Sequence, residues 1–437
     1  ERGDVRPAAA GSDSEGMYTL ASFPEDVLID NVLLLLPLNF IGRFATCNKK
    51  LSKLVQDRKF WERLSLREMG EGCLDLTSAH EWYDWRTVCM QLSTLRCMRW
   101  ERGTRSESDA AWPAARWGHT ITVLSSERLM VFGGECSGPA NDVHVLDTRR
   151  GCCEWQLKQC TGVYPEARFG HSCVFFKGTA VIFGGSNGET YFDDLHGLDI
   201  ESWHWWSPNT TGTPPCPRSS HSTTLCRNRA FVFGGIGICE QAANECLHDI
   251  VILDLETWAW SHPQVFGHIP QKRFVHRMVT VHDRLLLFGG RTSHQEKFND
   301  VHWLDTDTLC WEKVENVTGS LPATRGGCTF VAVGNKVVVF CGRAENDICL
   351  FDGVYLLHTQ EDPMRWEQAT IGTVENEPTP RGAHGFGYMN GKICVFGGYG
   401  PPRPDSNALE ERPLDDLIFL QLLNLDAKEQ SATLEQE

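Results

Sequence analysis

The chain of 437 residues is 41% hydrophobic, which supplies enough apolar material for a large core and for more than one domain. Its formal net charge of −16 argues against a general nucleic-acid binder or an anionic-membrane binder. The 18 cysteines are scattered and include no Cys-x-x-Cys pair, so we interpret them as reduced thiols and expect a cytoplasmic or nuclear protein.

The chain opens with a polar stretch and then becomes strongly apolar. Residues 1–20 are rich in Gly, Ala, Ser and acidic residues, and we expect them to be disordered. The apolar spacing within residues 21–66 predicts a small module of three short helices. Its longest apolar run, residues 32–38, is too short to span a bilayer, and we expect no membrane association.

Three sequence features of this module resemble an F-box. They are FPEDVL at residues 23–28, Leu-Leu-Pro at 35–37 and the segment from Asp57 to Trp61. The resemblance implies docking to a Skp-type adaptor and, through it, to a cullin-RING ubiquitin ligase. The residues that would contribute to adaptor docking are Pro24, Leu28, Leu36, Pro37 and Trp61. The alternative is a three-helix module that only caps the neighbouring domain.

Residues 67–95 connect the module to the rest of the chain. Ser78 and Glu81 have the spacing of a capping box, and the apolar residues that follow lie on one helical face. This pattern predicts a packed linker helix that fixes the distance between the two domains. An ordinary linker helix without functional meaning is the alternative.

The remaining sequence is organised by a unit that runs from Pro165 to Trp205 and has five relatives. Each copy contains an arginine, usually a glycine pair 16 or 17 residues later, and an Asp-Leu strand. The arginines, spaced by 50 to 56 residues, are Arg116, Arg168, Arg218, Arg273, Arg325 and Arg381. This period resembles that of kelch repeats, roughly 50 residues, and exceeds the ~40–45 of WD40 repeats. The resemblance implies a β-propeller of four-stranded blades over residues 96–425.

The last copy lacks the tryptophan strand that ends the others. The sequence around Trp100, which lies 16 residues before Arg116, resembles those strands. We therefore predict six blades, not seven, with the ring closed by this N-terminal strand, which removes an exposed edge. Glycine pairs such as Gly184-Gly185 and tryptophans such as Trp205 are interpreted as architectural. Residues 426–437 are expected to be a disordered tail. The predicted fold is thus a small all-α F-box module followed by an all-β six-bladed kelch propeller.

The six motif arginines are candidates for a binding site. In an antiparallel blade, the loop that enters the first strand and the loop between the second and third strands lie on the same face of the propeller. All six motif arginines are expected on that face. Guanidinium groups bind carboxylates and phosphates in bidentate fashion, so one hypothesis is that these arginines bind an acidic or phosphorylated peptide. The alternative is that each bonds carbonyls or acids within its own blade, such as Asp142 and Asp194.

Metal and catalytic sites receive little support from the sequence. A His or Cys stands three positions after each arginine: His119, His171, His221, His276, Cys328 and His384. These residues recur at the blade interval, whereas metal ligands must converge on one ion. No GxSxG, P-loop or HExxH sequence is found. We therefore expect no enzymatic activity and no bound metal or cofactor.

Two functional interpretations remain open. The first is a non-catalytic substrate-recognition subunit of a Skp-cullin-F-box ubiquitin ligase, in which the propeller binds a protein substrate with an acidic or phosphorylated degron. The second is a kelch interaction scaffold with no role in ubiquitin transfer. Neither interpretation involves nucleic acid or membrane.

Overall fold

Short β-strands make up nearly all of the secondary structure in the computed structural model. The structure describes residues 29, 49–57, 60, 61, 63, 64, 95, 98–104, 111–149, 153–239, 242–294, 296–371, 376–402 and 411–422. Within these ranges the strands form six separate, mainly antiparallel sheets and one short two-stranded sheet. The six sheets are the blades of a propeller, numbered here along the chain.

The first half of the chain contributes β1 (Arg99–Arg102) and blades 1 to 3. Blade 1 contains β2 (Thr120–Ser125), β3 (Arg128–Glu135), β4 (Pro139–Asp147) and β5 (Glu154–Leu157). Blade 2 contains β6 (Thr161–Gly162), β7 (Ser172–Phe176), β8 (Thr179–Phe183), β9 (Leu195–Asp199) and β10 (His204–Trp206). Blade 3 contains β11 (Arg218–Ser219), β12 (Ser222–Cys226), β13 (Arg229–Cys239), β14 (Ala242–Asp254) and β15 (Ala259–Ser261).

The second half contributes blades 4 to 6. Blade 4 contains β16 (Phe266–Gly267), β17 (Arg277–Val281), β18 (Arg284–Phe288), β19 (Val301–Asp305) and β20 (Cys310–Lys313). Blade 5 contains β21 (Thr318–Gly319), β22 (Thr329–Val333), β23 (Lys336–Phe340), β24 (Tyr355–His358) and β25 (Arg365–Gln368). Blade 6 contains β26 (Gly385–Met389), β27 (Lys392–Phe396) and β30 (Leu417–Gln421), and a separate pair is formed by β28 (Tyr399–Gly400) and β29 (Arg412–Pro413).

The ring closes as predicted, with six blades. The innermost strands β2, β7, β12, β17, β22 and β26 neighbour one another in that order, and β26 returns to β2. The strand β1 completes blade 6 by pairing antiparallel with β30, where Trp100 lies opposite Leu420. The prediction that the Trp100 strand supplies the missing edge is therefore confirmed.

The wedges between blades are filled by one repeated aromatic contact. The tryptophan of each outer strand packs on the phenylalanine that ends the second strand of the previous blade, with ring centroids 5.1 to 5.4 Å apart. Trp205 of blade 2, for example, lies 5.1 Å from Phe132 of blade 1. Because each tryptophan is buried between two blades, it stabilises the ring and not only its own sheet.

The glycine pairs are required by the backbone. Gly184 and Gly185 both have positive φ, 64° and 99°. A Cβ on Gly185 would lie 2.9 Å from the carbonyl oxygen of Phe169 and 2.9 Å from the Cβ of His171. Their architectural role follows from both the conformation and the close approach.

Two features of the blades go beyond the four predicted strands. In blade 3, β13 and β14 continue past the glycine pair as a longer antiparallel pair, with Ile236 opposite Cys246. Four blades also gain a short parallel edge contact from the incoming chain, as at Thr161–Gly162 beside β10. These two-residue contacts are too short to produce a periodic sequence pattern.

The N-terminal segment is described in part. The helix α1 (Lys49–Gln56) lies within the expected module of residues 21–66. Phe60, Trp61 and Leu64 belong to one apolar cluster with Trp100 and with core residues of blades 5 and 6. Residues 1–20 and 426–437 and most of residues 67–95 lie outside the described residues. No helix within the described ranges combines the length and apolar character needed to cross a bilayer.

Candidate functional site

The six motif arginines lie inside the blades. Arg168 is fully buried, and its guanidinium donates to Oδ1 and Oδ2 of Asp194 at 2.6 and 2.8 Å. Its other hydrogen bonds reach the backbone carbonyls of Gly184 and Glu166 at 2.9 and 2.8 Å. The ring centroid of Phe192 lies 4.3 Å from the guanidinium carbon, and the ring covers one face of the group. Four of the five N–H groups are thereby bound within one blade.

The same geometry recurs in every blade. The ion pairs are Arg116–Asp142, Arg168–Asp194, Arg218–Asp249, Arg273–Asp300, Arg325–Asp352 and Arg381–Asp416. Each joins the segment that enters the inner strand to the segment at or just before the start of the third strand, so these two segments of every blade lie on one face of the ring. We call this surface the loop face.

The burial of these arginines corrects the binding hypothesis. A ligand carboxylate could reach the guanidinium groups only by displacing the aspartates, because all six side chains are almost completely buried. The alternative interpretation, that each arginine bonds carbonyls and acids within its blade, agrees with every contact. Burial opposes ionisation of Asp194, but hydrogen bonds from Arg168 and His196 outweigh it and lower the pKa of that carboxyl.

The repeated histidines also lie between blades rather than around one ion. Nε2 of His171, for example, lies 2.9 Å from the hydroxyl of Thr120 in the preceding blade. Burial, reinforced by the charge of Arg168, holds the pKa of His171 well below its usual value. In the part of the chain that the structure describes, no three His, Cys, Asp or Glu side chains are arranged to bind a metal ion.

The mouth of the central channel on the loop face is lined by residues that differ between blades. In every blade, the residue after the motif arginine pairs with the residue after the glycine pair, which is Cys341-Gly342 in blade 5. The six pairs are Trp117–Glu135, Phe169–Ser186, Ser219–Ile236, Phe274–Arg291, Gly326–Arg343 and Gly382–Tyr399. The backbone pairing at these positions is repeated in every blade, whereas the side chains differ from blade to blade.

One half of the mouth is aromatic. The ring of Trp117 lies 5.1 Å from that of Phe169 and 6.0 Å from that of Tyr399, measured between centroids. All three side chains are half-buried and keep one surface towards solvent. They come from three neighbouring blades, 6, 1 and 2, and form a continuous apolar surface that suits an apolar side chain of a partner.

The other half carries a charge cluster. Arg291 lies 3.0 Å from the carboxylate of Asp347, and Nζ of Lys297 lies 2.7 Å from the same group. Arg343 donates to the carbonyl of Asp347 and pairs with Glu411 at 2.9 Å. Burial opposes ionisation of Asp347, yet the hydrogen bond from Lys297 and the neighbouring arginines lower its pKa. Three cations and two carboxylates leave the cluster with one net positive charge.

Sequence reasoning missed these mouth residues, although a signal was present. The residue that follows the glycine pair, Cys341-Gly342 in blade 5, differs from blade to blade, whereas the residues before it repeat. In blades 1 to 6 it is Glu135, Ser186, Ile236, Arg291, Arg343 and Tyr399. Positions that vary within a repeated frame are where function can differ from architecture.

The predicted adaptor-docking residues are only partly described. Pro24, Leu28, Leu36 and Pro37 lie outside the described residues. Trp61 is buried, donates from Nε1 to the carbonyl of Val55 at 2.6 Å and packs edge-on against Phe60. Its side chain therefore stabilises the interior of the N-terminal segment and offers little surface to a partner.

Six blades, a fifty-residue repeat and an Arg–Asp pair in each blade define a kelch β-propeller, a fold that indicates a protein-interaction role. The sequence matches the KLHDC2/KLHL20/DRC7 Kelch-repeats domain over residues 85–290 and 275–435. The chain belongs to this family.

Curated relatives share the repeat region. Host cell factor 1 of Homo sapiens is 29% identical over 318 residues, which cover 65% of this chain and 15% of that protein. Host cell factor 2 of Homo sapiens is 30% identical over 249 residues, covering 53% of this chain and 31% of that protein. Acyl-CoA-binding domain-containing protein 4 of Arabidopsis thaliana is 28% identical over 256 residues, 56% of this chain and 37% of that protein. The chain thus matches well under two thirds of each relative.

Proposed function

We propose that the protein is the substrate-recognition subunit of a Skp-cullin-F-box ubiquitin ligase. In this function the N-terminal module docks a Skp-type adaptor, the propeller binds a protein substrate, and the chain itself is non-catalytic. The observation that carries the proposal is the F-box-like sequence at residues 23–28 followed by a kelch ring. The cysteines in the described ranges are free of disulfides, which suits a cytoplasmic or nuclear site of action.

The shared apolar cluster supports a fixed relation between module and ring. Phe60, Trp61 and Leu64 pack in the same cluster as Trp100, which is itself an edge of blade 6. A ligase subunit benefits from such an arrangement, because a fixed spacing holds the bound substrate at a constant distance from the adaptor.

Adaptor docking is tested by co-purification of the full chain with a Skp-type adaptor. We expect a stoichiometric complex with the wild type and its loss in Leu36→Asp, because a buried carboxylate would disrupt an apolar docking surface. Leu321→Asp is the matched control, since Leu321 is a half-exposed leucine on the propeller. A folded wild-type protein that binds no adaptor would refute this function.

For the substrate, the mouth of the channel on the loop face is the proposed contact surface. The apolar surface around Trp117 and the cluster around Arg291 and Arg343 lie on the same rim. A peptide that carries an acidic or phosphorylated residue beside an apolar one would satisfy both halves, because arginine binds such anions well and aromatic rings bury apolar side chains.

Substrate binding is tested by comparing proteins that accumulate with the chain when the proteasome is blocked. We expect the double variant Arg291→Ala, Arg343→Ala to lose the substrate while keeping the adaptor. Lys313→Ala, which removes a surface cation on blade 4, should keep both. Equal capture of every protein by the double variant and the wild type would exclude the basic half of the mouth as a contact.

A second function, an interaction scaffold without ubiquitin transfer, is favoured by two observations. Trp61 is buried in a cluster shared with the propeller, as expected of a helical cap. The relatives match the repeat region and are named host cell factors or acyl-CoA-binding proteins. This function predicts that Leu36→Asp leaves every complex of the chain unchanged.

A further inference from the structure

Two aromatic rings at the mouth already carry an arginine of the protein itself. In blade 4, two backbone hydrogen bonds of 3.0 Å join Phe274 to Arg291, and the guanidinium carbon lies 4.8 Å from the centroid of the Phe274 ring. In a second case, the guanidinium carbon of Arg343 in blade 5 lies 5.7 Å from the ring centroid of Tyr399 in blade 6. Such contacts are favourable because the face of an aromatic ring attracts cations.

Blade 1 has the same backbone pair with the opposite charge. Trp117 donates its N–H to the carbonyl of Glu135 at 3.1 Å, and Glu135 donates to the carbonyl of Trp117 at 2.8 Å. Residues that are paired in this way in an antiparallel ribbon place their side chains on the same side of it. The indole ring and the carboxylate therefore lie next to each other. Among the six backbone pairs at the mouth, this one alone joins an aromatic ring to a carboxylate.

Neither side chain of this pair meets a cation within the ranges that the structure describes. The Glu135 carboxylate forms no ion pair or hydrogen bond with a described residue, and no described lysine or arginine lies over the Trp117 ring. Glu135 is half-buried, and burial raises the pKa of its carboxyl without a nearby cation to oppose the effect. A ligand that carries a cation would therefore meet both an unpaired carboxylate and an aromatic ring.

The arrangement of the rings favours a flat cation on their surface. The centroids of Phe169 and Tyr399 lie 5.1 and 6.0 Å from that of Trp117, with interplanar angles of 50° and 70°. At these distances the rings contact one another and leave no gap between them for a methylated ammonium group. A guanidinium group is planar, stacks on aromatic faces and forms paired hydrogen bonds with a carboxylate, whereas the ammonium of lysine is compact and strongly hydrated.

We propose that the Trp117–Glu135 pair binds an arginine side chain of the protein partner, with its guanidinium stacked on the indole ring and hydrogen-bonded to the carboxylate. The methylene stem of this arginine packs on the apolar surface that Phe169 and Tyr399 continue. The inference rests on the mouth being the partner surface of the proposed function, and it narrows the apolar residue of the partner to an arginine. The arginine and the acidic or phosphorylated residue then complement the two halves of the mouth.

The first test measures the binding of synthetic peptides to the intact chain by ligand-observed NMR titration. Each peptide holds one aspartate for the basic half, a glycine spacer of varied length, and then arginine, citrulline, lysine or norleucine. With the best spacer, arginine should bind about tenfold more tightly than citrulline, which has nearly the same shape without the charge. Lysine and norleucine should also bind more weakly than arginine.

The outcomes of this titration separate the inference from the proposed function. Norleucine or citrulline binding as tightly as arginine would overturn the arginine site and leave an apolar partner contact at the mouth. No binding by any peptide of the series would count against the mouth as the partner surface, and so against both.

Variants of the carboxylate complete the test. Glu135→Gln keeps the shape of the side chain and removes its charge, so it should weaken binding of the arginine peptide about tenfold and leave the citrulline peptide unchanged. Glu201→Gln is the matched control, because Glu201 is an exposed carboxylate in the turn between β9 and β10, on the face opposite the mouth. It should change neither peptide. An undiminished preference for arginine in a Glu135→Gln protein with the wild-type urea midpoint would refute the site.

Discussion

Replacing Arg168 by alanine separates an architectural arginine from a ligand-binding one. The substitution removes the two hydrogen bonds to Asp194 and those to the carbonyls of Gly184 and Glu166. Breaking a buried ion pair costs about 3–5 kcal/mol, and we expect about 3 kcal/mol because the Asp194 side chain is 39% exposed and can be rehydrated. The loss should appear as a lower urea midpoint.

The assay is urea unfolding at neutral pH, followed by tryptophan fluorescence. Lys313→Ala is the control, because its ion pair with Glu315 is on the surface and should contribute about 0–1 kcal/mol. If Arg168→Ala kept the wild-type midpoint but lost a protein partner, the architectural interpretation of the motif arginines would be wrong.

Three further outcomes are expected from urea unfolding. Gly185→Ala should cost about 2 kcal/mol or more, whereas Gly178→Ala, which has positive φ but open space, should cost about 1 kcal/mol; equal costs would contradict the close approach at Gly185. The folded-state pKa values of His119 and His276 are lowered to about 3. The free energy of unfolding should therefore be highest above the unfolded-state pKa of about 6.5 and should fall as pH drops from there towards 3, by on the order of 1 kcal/mol per pH unit for each histidine. A flat profile of stability against pH would contradict the burial of neutral imidazoles. Trp100→Ala should cost about 3–5 kcal/mol, and an unchanged midpoint would exclude its role in closure.

The sequence allowed the ring to be predicted because its architectural residues repeat. The tryptophan and the arginine have the same role in every blade, and the glycine pair has its role in five of the six. Their spacing therefore predicted both the number of blades and the closing strand around Trp100. The role of Arg168 was harder to predict, because its aspartate lies 26 positions further along the chain and only folding shows that the pair is buried. A bidentate donor aimed at an acid looks the same in sequence whether the acid is internal or belongs to a ligand.

The mouth and the channel were beyond prediction for a different reason. Trp117 and Tyr399 meet only because blades 1 and 6 become neighbours when the ring closes. The guanidinium carbon of Arg277 lies 5.0 Å from the ring centroid of Phe386, although the two residues belong to blades 4 and 6, which are not adjacent. Such contacts depend on the curvature of the whole ring, and no local pattern of propensity or spacing encodes it.

The pairing of β1 with β30 has a consequence for the order in which the chain can fold. Trp100 is among the first propeller residues to leave the ribosome, and its partner Leu420 is among the last. During synthesis β1 stays unpaired until β30 has been made. The entropic cost of joining these distant segments therefore falls on a single late step of folding. The apolar cluster that holds Trp61 also draws on strands of blades 5 and 6, so the N-terminal segment reaches its final packing only after translation is nearly complete.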